Sequence, residues 1–107
     1  MNREQIAKII ELLEESRKRP PLYIGGYDVN AAWHFCNGVE AACWAFGEKG
    51  HSPLRRQIVQ ERGWNSDTAQ HFSHEMKQCG LTQQAMVEEL FDVEIEVWRR
   101  VAQELEQ

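Results

Sequence analysis

A chain of 107 residues, 42% hydrophobic and 27% charged, closes one modest core as a single domain over residues 1–107 and excludes intrinsic disorder. Glu, Lys or Asn interrupts every hydrophobic segment, so no run approaches the ~20 apolar residues of a membrane span. Net charge of −5 argues against nucleic acid as a partner, because the one dense cationic cluster is Arg17, Lys18 and Arg19.

At the N-terminus, Asn2 and Gln5 form a capping pair, and Ile6, Ile9, Ile10 and Leu13 recur at helical spacing. The N-terminal residues show no signal-peptide pattern, so no secretory leader is expected. The cationic cluster closes this helix, complementing its dipole and offsetting Glu11, Glu14 and Glu15. Pro20 and Pro21 then stop it, since each proline pushes its predecessor out of the helical region. Leu22 to Ile24 is expected to be extended, Gly25-Gly26 to turn the chain, and Tyr23 with Ile24 to plug one end of the core.

Asp28 caps a second helix, from about Val29 to Phe46, stopped by Gly47. Val29, Ala32, Trp33, Cys36, Val39, Cys43 and Phe46 make its apolar face, which Phe35 and Ala42 widen. Gly38, costly inside a helix, is expected to admit another backbone closely. Ser52-Pro53 reads as a cap and first helical residue ahead of Leu54, Ile58 and Val59, with Gly63 as the stop.

Trp64 to Ser66 forms a turn, and Asp67 caps a fourth helix carrying Ala69, Phe72, Met76 and Cys79, closed by Gly80. Thr82 caps the longest helix, about Gln83 to Glu104. Its "DVEIEVW" passage alternates like a strand, yet Met86, Leu90, Val93, Val97 and Val101 keep helical spacing over four turns. The expected fold is all-α, a small single-domain bundle of about five helices.

Projection at 100° per residue places two carboxylates on apolar arcs. Glu94 falls between Leu90, Val97, Val101 and Trp98, and Glu40 falls among Trp33, Cys36, Cys43 and Trp44. A carboxylate facing a core must be protonated, paired or bound. Either each lies near an edge, bonded to an indole, a tyrosine hydroxyl or an arginine, or Glu40, Glu94, Trp33 and Trp44 line a ligand or metal pocket with possible enzymatic use.

"HFSHEMKQC" strings His71, His74 or Glu75, and Cys79 along one side of a helix at spacings that metal sites use. No Glu-x-x-His motif lies within a helix, since "EKGH" falls in a loop, there is no His-Glu-x-x-His, and no metal or cofactor is expected. The three cysteines, Cys36, Cys43 and Cys79, read as reduced, buried thiols of a cytoplasmic protein. No nucleophile has a credible triad, so no catalytic residue is expected.

Arg17 to Gly25, "RKRPPLYIG", is similar to the "RKRPGMYIG" segment of gyrase B-type ATPases, and "FCNGVEAA" is similar to their "VVDNSIDEA", with Asn37 at the magnesium-binding asparagine. The position of that family's general-base glutamate holds Trp33, and its Asp-x-Gly-x-Gly motif is absent, so the likeness implies a shared joint without the chemistry. Arg19, Pro20, Tyr23, Ile24 and Gly25, with Gly38 and Ala42, also resemble a motif of short, all-helical bacterial proteins of unknown function. Some of those are suspected of being immunity proteins beside toxin genes. Pro21 and Leu22 depart from the usual Gly-Met there. That resemblance implies a helical fold and says little about activity.

The reading is thus a small, acidic, non-enzymatic interaction protein, its partner another protein or a second copy, with Trp44 and Trp64 as candidate exposed anchors. In a toxin-neutralising role, its acidic face would cover a basic site.

Overall fold

The computed structural model describes residues 1–65 and 69–106, leaving aside the side chains of residues 69–71. The expected turn residue Ser66, the expected cap Asp67 and the side chain of His71 therefore lie outside the described residues. The rest is all-α: α1 (Arg3–Lys18), α2 (Pro20–Ile24), α3 (Val29–Ala45), α4 (Ser52–Glu61), α5 (Ala69–Gln78) and α6 (Gln83–Leu105).

The caps act as their residue types require. Asn2 and Gln5 satisfy each other's backbone N–H groups at 2.8 and 2.9 Å, a complete capping box. Asp28 accepts from the N–H groups of Asn30 and Ala31, and Thr82 from that of Ala85. At α4 the cap is His51 rather than Ser52. Ser52 and Pro53 are the first two helical residues, and proline there gives up an N–H that has no intrahelical partner anyway.

The sixth helix is the short α2, where an extended segment was expected. Prolines at its first two positions hold φ near the helical value, and the Leu22 N–H closes a turn on the Arg19 carbonyl at 3.0 Å. Arg19 leaves the helical region between the two helices, at φ −133° and ψ 61°, as its place before a proline favours. Gly25 then reverses the chain at φ 81°, a left-handed conformation that a side chain would strain. Pro20 is buried, Ile24 packs on the core, and Tyr23 is exposed on one side while its ring meets the edge of Phe35.

α6 is the central element, packed against α1, α3, α4 and α5. Its ten buried residues spread over roughly 200° of its circumference, so no single stripe is visible and acidic residues alternate with apolar ones without making a strand. α1 runs antiparallel to it: Arg3 pairs with Glu106 at one end and Arg17 with Asp92 further along. α3 lies on another side of α6, placing Phe35 edge-on to Phe91.

Several expectations for α3 are corrected. The helix ends at Ala45, so Phe46 caps it, leaves the apolar stripe and is 80% exposed. Ala42 is exposed as well. A Cβ built on Gly38 would meet nothing within 4 Å, so among the described residues no other backbone approaches it. Cys79 is exposed beyond the end of α5, unlike the buried Cys36 and Cys43.

Candidate functional site

Arg55, on α4, joins the two carboxylates singled out by projection. Its guanidinium grips Glu94 of α6 in a fork, Nε to Oε1 at 2.6 Å and Nη2 to Oε2 at 2.9 Å. The same Nη2 donates to Glu40 Oε2 on α3. Glu94 is only 2% exposed, and the Arg55 and Glu40 side chains 14% and 17%. Three helices thus meet at one guanidinium.

The cluster continues to the surface. The second oxygen of Glu40 accepts the His51 backbone N–H at 3.1 Å, and the His51 ring stands edge-on to Trp98. His51 Nε2 lies 3.2 Å from Glu48, whose other oxygen is 3.6 Å from the Met1 ammonium. Among the described residues every buried side-chain nitrogen and oxygen has a hydrogen-bond partner. Such completeness is what allows charges to sit in a core at all.

Burial pulls the Arg55 guanidinium toward neutrality, but the hydrogen bonds and charge of Glu94, then of Glu40, outweigh it and hold the group above its ordinary pKa. Nearby, burial pushes the Cys36 thiol well up, and Glu94 adds to the effect. Cys43 is raised for the same first reason, followed by Glu48. The Arg55 cation opposes the shift at Cys36 and the N-terminal ammonium that at Cys43, but both thiols stay above the ordinary value, which disfavours the thiolate.

Glu40 and Glu94 are therefore brought together, with an arginine between them. Trp33 is half-buried on the core, while Trp44, grouped with it by projection, turns outward at 72% exposure. Trp64, expected as an exposed anchor, is half-buried: its ring meets Phe72 edge-on and its indole N–H donates to Glu89 at 2.9 Å. His74 and Cys79 are exposed, and among the described residues no three His, Cys, Asp or Glu side chains converge as a metal set would.

Sequence reasoning missed Arg55 although a signal was present. On α4 the same 100° projection puts Arg55 midway between Ile58 and Val59, on the buried arc, and the adjacent Arg56 well away from that midpoint. An arginine on an apolar arc, in a chain with two carboxylates on apolar arcs, predicts their pairing.

A separate groove of about 460 Å³ lies between α1, α4 and α6 over Ile58 and Ile95. Its rim is a ladder of ion pairs: Arg17 and Arg62 with Asp92, Arg100 with Glu61 and Glu96, and Arg99 with Glu14. These pairs tie α4 and α1 to α6. No helix of the described residues is long and apolar enough to cross a membrane. No family model, no curated protein and no solved structure matches the chain.

Proposed function

We propose that the protein is a non-enzymatic interaction module that docks on another protein through the solvent face of α3. One observation carries this reading: Trp44 and Phe46 stand 72% and 80% exposed at the end of a helix whose single Asp, Glu, Lys or Arg is the inward-turned Glu40. Covering a large aromatic side chain contributes about 1.5–3 kcal/mol, and aromatic anchors of this type dominate protein interfaces. The sealed state of the Arg55 cluster supports a structural role for Glu40 and Glu94, since each is already engaged by a buried cation.

The acid excess describes the rest of the surface and favours a basic partner there, as an immunity protein covering a toxin would need. Arg19, Pro20, Tyr23, Ile24 and Gly25 form the joint that sets α3 against α6. The setting proposed is the bacterial cytoplasm. The test is native mass spectrometry of the untagged protein from its own host, beside a Trp44→Asp/Phe46→Asp variant. A stoichiometric protein partner that the variant loses is expected. A bound metal or small molecule in place of a protein overturns the reading.

A further inference from the structure

Resting on that reading of α3, we infer that the partner seated on this face is a second copy of the chain, its α3 crossing the first in antiparallel fashion about a two-fold axis. The outward arc of α3 has a floor of small residues, Gly38, Ala41, Ala42 and Ala45, bounded one turn before Gly38 by His34, all exposed, with Trp44 on one flank and Phe46 at the C-terminal end. The floor alone would identify nothing. The charge, the area and the glycine together select the occupant.

Charge comes first. A chain of net charge −5 repels its own copy across most approaches. α3 holds one ionised residue, Glu40, and that carboxylate points inward onto Arg55. The face is therefore neutral and matches itself without like-charge contacts, while it offers a strongly basic partner no carboxylate to pair with.

Area comes second. A two-fold contact counts each residue twice, so two exposed rings per chain bring on the order of 600 Å² to the contact. That is about half of the ~1,200 Å² at the low end of stable interfaces, and the helix contact along the small-residue floor adds to it, which places the dimer in the weak, dissociating class.

The geometry closes on Gly38. A crossing centred between Ala41 and Ala42 lays Ala45 of each copy on Gly38 of the other, so the smallest positions coincide at both ends of a contact ~10 Å long. A Cβ at Gly38 would meet nothing within 4 Å among the described residues outside its own turn of helix, and glycine weakens that helix relative to alanine. An approaching helix gives that glycine a packing role.

The experiment is sedimentation velocity on the purified full-length chain over a dilution series, with Ala41→Arg as the interface variant. A dimer that dissociates on dilution is expected, and Ala41→Arg weakens it by about a hundred-fold or more, because two like charges meet at the axis. Circular dichroism of the variant must keep its helical signal. Independently, Ala41→Cys in a Cys79→Ser background cross-links between chains on oxidation, and Lys8→Cys on the far helix does not. A chain that stays monomeric at tens of micromolar overturns the inference, as does a dimer indifferent to Ala41→Arg. Neither result touches the broader interaction reading, which fails only if host-isolated protein carries no protein through Trp44 and Phe46.

Discussion

Arg55 holds Glu94 through two parallel hydrogen bonds inside the core, and it shares one of the two donating nitrogens with Glu40. The two carboxylates depend on the arginine far more than it depends on either of them. Removing the guanidinium leaves two buried acids face to face, whereas removing Glu94 leaves Arg55 paired with Glu40 near the edge. Arg55→Leu is therefore expected to cost about 3–5 kcal/mol in urea unfolding, the usual penalty for stranding a buried charge. Glu94→Leu should cost clearly less, and the double variant should recover part of the Arg55→Leu loss. Equal costs for the two single changes would contradict this account.

The fold was legible wherever a residue type answers to a local rule. Asn2, Asp28 and Thr82 cap because short polar side chains reach the free N–H groups of the first turn, whatever the tertiary fold. Glu94 was placed correctly by projection because burial on a helix is periodic. What escaped was decided between elements. Phe46 fits the apolar stripe of an ideal helix but leaves it when the helix ends one residue early. The indole of Trp64 is turned inward by a carboxylate 25 positions later, and nothing near it in sequence announces that contact.

The same carboxylate sets a pH dependence. Arg62 donates to Glu89 at 2.8 and 2.6 Å and Trp64 at 2.9 Å, and these bonds, Arg62 first, hold the carboxyl below its ordinary 4.5 against the opposing effect of burial. A lowered folded pKa means that the unfolded chain takes up the proton more readily. The stabilisation is thus complete above the ordinary value and lost as pH falls through the folded one. Glu89→Gln should unfold about 1 kcal/mol more easily than the parent at pH 7, and the gap should close on acidification below pH 4.5. A gap that stays constant into acid would remove Glu89 from the acid-sensitive set.

Two glycines should respond in opposite directions to alanine. Gly25 sits at φ 81°, where a Cβ crowds the following carbonyl, so Gly25→Ala is expected to cost about 1–2 kcal/mol. Gly38 has ordinary helical geometry and open space around it. In dilute solution, where chains are separate, Gly38→Ala should add about 0.5–1 kcal/mol to stability. Thermal unfolding of the two variants at low concentration gives both signs in one experiment. A destabilised Gly38→Ala monomer would mean that some part of the chain already fills that space.

The three thiols should divide one against two under a labelling reagent. Cys79 is exposed past the end of α5, so it reacts at the rate of an accessible cysteine. Cys36 and Cys43 are buried on α3, and burial raises both thiols, Cys36 well above its ordinary value, with Glu94 adding to the effect. A low thiolate fraction combined with closed packing leaves opening of the structure as their route to the reagent. Native protein at mildly alkaline pH should therefore show one fast thiol and two slow ones, all three becoming fast in denaturant. Arg55→Leu, by loosening the core beside Cys36, should speed that thiol while leaving Cys79 unchanged. Mass spectrometry of the labelled peptides assigns each site, and a fast Cys36 in the parent protein would contradict the closed cluster around Arg55.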